Sequence, residues 1–234
     1  MTFLPTSTSA DARDRSVAVL PVGSFEQHGE FLPLATDTVI AMTIAEAVAA
    51  AYPRVLLLPP VTISCSHEHA AWPGTVSISA PTLHAIVRDV AESLRHKGIH
   101  KLAIVNGHGG NYVLGNVVQE ASARGEHMAL FPTEVDWLSA RAAGDVESGP
   151  ETDMHAGELE TSLLLHAHPS LVPADYASHD ERADDRHHFL TLGLRPYTKS
   201  GVIGLPSRAT AKKGEGALAN LVTAFGDVLE ALDR

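Results

Sequence analysis

Four short apolar runs, Val17–Val22, Val55–Leu58, Lys101–Asn106 and Met128–Phe131, each close on Gly, Pro or Asn and are separated by stretches of helical periodicity. Runs of four to six residues with little polar alternation predict strands covered on both faces. The intervening and following patterns predict helices over Thr38–Ala51, Thr82–His96, Val113–Ala123, Glu134–Ala142, Glu158–His166 and Ala217–Leu232. Strand and helix taking turns in this way predicts the α/β class: a mostly parallel sheet with helices on both faces, a three-layer αβα domain. With 234 residues and 44% apolar content, residues 1–234 suit one such domain.

Charge and cysteine usage narrow the function classes. The formal charge of −11 comes from 28 acids against 17 bases with no basic run, which disfavours nucleic acid and anionic membrane surfaces as partners. Cys65 is the single cysteine, so an intrachain disulfide is excluded and a reducing, cytoplasmic setting is expected. Residues 1–15 lack the basic start and apolar core of a signal peptide and are expected to form a loose lead-in. No stretch approaches the ~18 apolar residues of a membrane span. Asp175–Ser200, dense in charge and histidine, is the least regular segment; it reads as a solvated surface loop, or alternatively as a lid or subunit contact.

The 14 histidines are the compositional oddity, and several stand where a predicted strand has just ended. Glu26 and His28 in Ser24-Phe25-Glu26-Gln27-His28-Gly29 follow the first strand; two apart in extended chain, they point the same way while Gln27 points away. Asp37 opens the first helix, either as its N-cap or as a third site group. His108 follows the third strand in Gly107-His108-Gly109-Gly110-Asn111, a loop that is not a dinucleotide fingerprint because Tyr112 stands where its last glycine belongs. It is either a satisfied turn histidine or a site residue at a strand's carboxyl end. His155, Glu158 and Glu160 open another helix, where glutamates also serve as ordinary dipole partners. Three junctions that each deliver His with Asp or Glu form a ligand set for Zn²⁺, Mn²⁺ or Fe²⁺, with an Asp able to bridge two ions ~3.5–4 Å apart. The chemistry this set favours is hydrolysis by an activated water, with a histidine handling the leaving group's proton.

At these motifs, and at "EHAAWPGTVSIS" from Glu68 to Ser79, "HAGELETS" from His155 and "GVIGLPSRATAKKGE" from Gly201, the sequence resembles the creatininase family of metal-dependent amide hydrolases. The resemblance implies an αβα fold, two divalent ions and a ring-shaped homo-oligomer, often a hexamer. It implies Glu26 and His108 as ligands of one ion, His28 of the other, Asp37 as the bridge and His155 as the catalytic acid/base. Creatinine-opening members carry a glutamate ligand of the second ion where this chain has Gly110; Glu160 is the nearest replacement, and Glu158, an acid those members lack, is expected to be catalytic beside His155. Glu30 and Phe31 alter the expected pocket rim, and Trp72 and Trp137 do not align with the tryptophans that flank creatinine.

The leading expectation is therefore hydrolysis of a carbon–nitrogen bond, other than an ordinary peptide bond, in a small amide, lactam or formamide. The similarity also points to the branch that holds formamide hydrolases and the mycofactocin-pathway peptidase. Trimming of a short modified peptide, and non-catalytic metal binding, are the alternatives.

Overall fold

The protein, seen in a computed structural model, is described over residues 4–234; residues 1–3 of the expected lead-in lie outside the described residues. Four strands, β1 (Val17–Val22), β2 (Val55–Leu57), β3 (Lys101–Asn106) and β4 (His127–Phe131), form one parallel sheet in the order β2-β1-β3-β4. In register, Val17 lies beside Val55 on one side and Lys101 on the other.

Strand alternation splits the core in two. Val17, Val19, Ala103, Val105 and Phe131 face α1 (Thr36–Ala51), α4 (Glu134–Ala143), α5 (Glu158–Ala167) and α7 (Ala211–Asp233). Ala18, Leu20, Val22, Leu102 and Ile104 face α2 (Ala80–Arg95) and α3 (Val113–Ala123). Helices on both faces of a parallel sheet make the three-layer αβα architecture that the alternation predicts.

Helix starts depart from expectation where local chemistry differs from the apolar pattern. Helix α1 begins at Thr36 with Ala35 at its N-cap, so Asp37 lies inside the first turn and caps nothing. Helix α2 begins at Ala80 because Ser79 accepts the Thr82 N–H and Pro81 suits a first turn. Helix α7 begins six residues before the expected Ala217, capped by Thr210. Its Gly214 is a poor helix former, but a Cβ there would overlap the Ser162 carbonyl of α5, so the glycine permits the two helices to touch.

The segment 175–200 is a built excursion with one short helix, α6 (Phe189–Leu192). The Glu181 carboxylate closes it, accepting the N–H groups of Lys199 at 2.7 Å and Ser200 at 3.0 Å. Among the described residues no helix is long and apolar enough to cross a membrane.

Phe225 of α7 is fully buried and meets Phe131 edge-on at 5.3 Å. Phe225→Ala should cost about 3–5 kcal/mol in chemical denaturation while leaving divalent-ion content per folded chain unchanged, because its ring packs against Phe131 and Tyr52 and is not among the groups that could hold an ion.

Candidate metal centre

In the order β2-β1-β3-β4 the chain leaves β1 toward opposite edges, so the crevice beyond the carboxyl ends of β1 and β3 is the switch point where open α/β sheets place their sites. Two glycines bring a helix to this place. A Cβ on Gly23 would overlap Thr38, and one on Gly107 would overlap the Asp37 carbonyl, so the first turn of α1 sits directly against both strand ends. That contact delivers Asp37 between His28, which follows β1, and His108, which follows β3.

Asp37 Oδ1 lies 3.0 Å from His28 Nε2, and Oδ2 lies 3.0 Å from His108 Nδ1 and accepts the Ser24 hydroxyl at 2.6 Å. His28 Nδ1 is 3.1 Å from the Glu26 carbonyl, a contact that orients the ring with Nε2 toward Asp37. Glu26 is fully buried; His69 Nε2 stands 3.1 Å from Oε1 and His108 Nε2 3.1 Å from Oε2. Neither approach has hydrogen-bond alignment, and among the described residues both Glu26 oxygens lack a hydrogen-bond partner. Donors that converge without pairing fit a cation between them. Among the described residues, three groups bring ligand atoms within 4.8 Å of one another: Glu26, His28 and His155; Glu26, Glu68 and His108; and His28, Asp37 and Glu160. Carboxylate and imidazole donors of this kind suit Zn²⁺, Mn²⁺ or Fe²⁺.

The titrations express the same concentration of charge. Burial pushes the Glu26 carboxyl up to about 8, countered in part by His108, and burial likewise lifts Glu160 to about 7. Burial pulls His28 down, but the charge and hydrogen bond of Asp37 outweigh it and raise the imidazole to about 9. His108 moves well above its ordinary value, burial being outweighed by Glu26 and Asp37. Burial, then the charges of His28 and His69, hold His155 well below the usual histidine range. Burial also lowers His69 to about 3, so it is neutral at physiological pH.

The structure brings Glu26, His28, Asp37, His108, His155 and Glu160 together. It does not bring in Glu158: its carboxylate is turned away, accepting Lys213 Nζ at 2.6 Å and the N–H groups of Glu147 and Ser148 at 3.0 and 2.9 Å. The expected catalytic role of Glu158 is replaced by a structural one, a buried ion pair tying α5 to α7 and the preceding loop. Phe31 is likewise buried, packing with Leu32, Val39 and Leu164 rather than forming a rim.

Gln27 corrects the expectation that it points away. Its Nε2 donates to His69 Nδ1 at 2.9 Å and to the Gly201 carbonyl at 3.0 Å, while its own carbonyl accepts His155 Nε2–H at 2.7 Å. It thereby fixes both rings. Glu68 and His69 open the motif that runs to Ser79, and the sequence does not single them out as ligands. They enter the site from a single turn of 3₁₀ helix, His67–His69, a position without a strand-to-helix signal.

With this geometry in hand, the comparisons are decisive at family level. The profile described as creatinine amidohydrolase matches residues 5–229. The chain belongs to the creatininase family. The mycofactocin precursor peptide peptidase of Mycolicibacterium smegmatis is 36% identical, covering 96% of this chain and 89% of that one. The creatinine amidohydrolase of Pseudomonas putida is 24% identical, covering 91% and 88%. Among solved structures, a manganese form of creatininase superposes with a TM-score of 0.77 at 24% identity, covering 94% of this chain and 91% of its own. This family membership makes the chain a hydrolase of the amidohydrolase kind, and the superposition supports the fold.

Metal binding should release protons, because His28 ligates only in its neutral form and is held protonated up to about 9. A folded-state value raised above the unfolded one stabilises the metal-free protein fully below pH ~6.5 and loses that contribution as pH rises through the folded value. Calorimetric titration of chelator-treated protein with Zn²⁺, in buffers of different ionisation enthalpy, should show proton release at pH 7 that diminishes above about 9, with affinity rising over the same interval.

Proposed function

We propose that this chain is a metal-dependent peptidase that shortens a small peptide, of the kind named in its mycofactocin-peptidase relatives, and that it works with two divalent ions. The observation that carries the reading is the shape of the surface over the donor cluster. A cleft of about 550 Å³ on one side is lined by Tyr112, Trp137, Leu138, Met154 and His155. A second, of about 520 Å³, lies on the other side and is lined by Glu68, Gly110, Phe189, Leu190 and Arg195. Between them, a pocket of about 120 Å³ exposes Asp37, Glu68, His69, His108, His155 and Glu160. Tyr112 borders all three spaces. An extended chain can occupy both clefts and lay one amide over the cluster, whereas a single small ring fills a fraction of either. Weight therefore moves from a small non-peptide amide to a peptide bond.

Glu26 and His108 would hold one ion, His28 and Glu160 the other, with Asp37 between them. Bound there, divalent ions lower the pKa of a coordinated water toward neutrality and polarise the carbonyl to be attacked. His155 supplies proton transfer. Donation of its Nε2–H to the Gln27 carbonyl leaves the Nδ1 lone pair facing the cluster, 3.8 Å from Glu26 Oε1. That lone pair can accept the attacking water's proton and return it to the departing amine. Gln27 holds the ring in this orientation.

The small-amide or formamide reading draws on the central pocket alone, and one experiment separates the two. Turnover of short peptides, creatinine, simple lactams and N-formyl aminopyrimidines is compared under saturating Zn²⁺ and Mn²⁺. Peptides should give the highest kcat/KM and creatinine a poor one; a creatinine value far above the peptide values would overturn the proposal. His155→Ala should lose about 10²–10⁴-fold in kcat and retain its metal; loss of metal in that variant would make His155 a ligand instead.

A further inference from the structure

The loop after β3 carries no side chain at Gly110, and the neighbouring atoms show what fills the space. A Cβ built on Gly110 would overlap both Glu68 Oε1 and His108 Nε2. The place that a side chain from position 110 would take is thus occupied by the Glu68 carboxylate, which enters from the 3₁₀ turn His67–His69 on the other side of the crevice.

Once there, Glu68 Oε1 lies 3.4 Å from His108 Nε2. The same nitrogen has Glu26 Oε2 at 3.1 Å and the Cys65 carbonyl at 2.9 Å. One N–H can serve only one of these oxygens well, and the Glu26 oxygens lack any hydrogen-bond partner among the described residues. Two carboxylates and an imidazole that converge on one point, one carboxylate fully buried, make a donor set that a divalent cation would satisfy together.

Glu68 is also held in place from behind. The Leu194 N–H donates to the Glu68 carbonyl at 3.0 Å, and Gly193, at φ +68°, approaches so closely that a Cβ there would stand 3.1 Å from the same oxygen. The next residue, Arg195, lies over the Trp72 ring at 5.4 Å, so the excursion is pinned at the turn that carries Glu68 and again just beyond it.

We propose that Glu68 is a direct ligand of the ion held by Glu26 and His108, in the space that Gly110 leaves open, and that residues 193–195 of the excursion buttress it. The assignment rests on the metal-dependent reading and is independent of which amide is cleaved. It gives the 175–200 segment a function at the site as a positioning element, since none of its residues needs to touch the ion.

The test is metal stoichiometry and affinity, read without substrate. Wild type, Glu68→Gln and Gly110→Ala are stripped with chelator, titrated with Zn²⁺ or Co²⁺, and measured by elemental analysis and by the visible spectrum of bound Co²⁺; circular dichroism checks the fold. Losing a hydrogen-bonding neighbour of a ligand costs about 10–100-fold in metal affinity, so loss of a direct ligand is expected beyond about 100-fold at one site with the other unchanged. Gly110→Ala leaves Glu68 intact but places a methyl group on its carboxylate, and should weaken the same site. If Glu68→Gln fails to fold, Glu68→Asp, which withdraws the carboxylate by one methylene, is titrated instead with the same expectation. Two ions bound with wild-type affinity and an unchanged Co²⁺ spectrum in a folded Glu68 variant would overturn the assignment. A wild-type chain that binds no divalent ion would overturn the metal reading itself, and the two failures are distinct.

Discussion

Two carboxylates buried side by side at the end of a parallel sheet are the constraint from which the rest of the site follows. Glu26 is fully buried and Asp37 nearly so, and removing a carboxylate from water costs several kcal/mol even after the protein relaxes. Three imidazoles, His28, His69 and His108, are packed against them at 3.0–3.1 Å. The arrangement crowds titratable donors into a space where burial opposes their charged forms. It is a poor way to stabilise a core and a good way to hold divalent cations.

The fold serves that concentration. Parallel strands place their carboxyl ends on one side, and the change of direction between β1 and β3 opens a crevice there. Gly23 and Gly107 remove the two side chains that would keep α1 away, and the helix brings Asp37 to the midpoint. Around this centre a shell of side-chain amides sets orientation. Gln27 fixes His69 and His155, and Asn111 joins the Cys65 N–H at 3.1 Å to Asn106 at 2.9 Å, tying the His108 loop to the segment that precedes Glu68. Chemistry at the surface of such a shell needs little rearrangement, since the donors are held before substrate arrives.

How much of this was legible from residues alone depended on whether the signal was local. The spans of β1, β3 and α3 match the apolar patterns, because strands covered on both faces and a helix between turn residues write themselves into short windows. Glu26, His28 and His108 stood out because each follows a strand end, and His155 because it stands just before a helix. Asp37 stayed ambiguous between cap and ligand, since a carboxylate at a helix start has both uses; its place inside the first turn, with no cap hydrogen bond, removes the cap. Glu158 misled for the related reason that its sequence neighbours are site residues, while Lys213, its actual partner, is 55 positions away. Gln27 was assigned to the wrong side because its side-chain partners, His69 and Gly201, lie 42 and 174 positions away in the sequence. Glu68 became visible only when Gly110 was placed beside it in space, for nothing in the spacing between them records an exclusion between one residue's side chain and another's missing one.

The central claim is that Asp37 lies between two cations held by opposite sets of ligands. Anomalous diffraction from crystals equilibrated with Zn²⁺, recorded on both sides of the zinc absorption edge, addresses it directly. The account predicts two peaks about 3.5–4 Å apart, one beside Glu26 and His108 and the other beside His28 and Glu160, each within bonding distance of an Asp37 oxygen. No peak in this crevice, or peaks from which Asp37 is excluded, would contradict it.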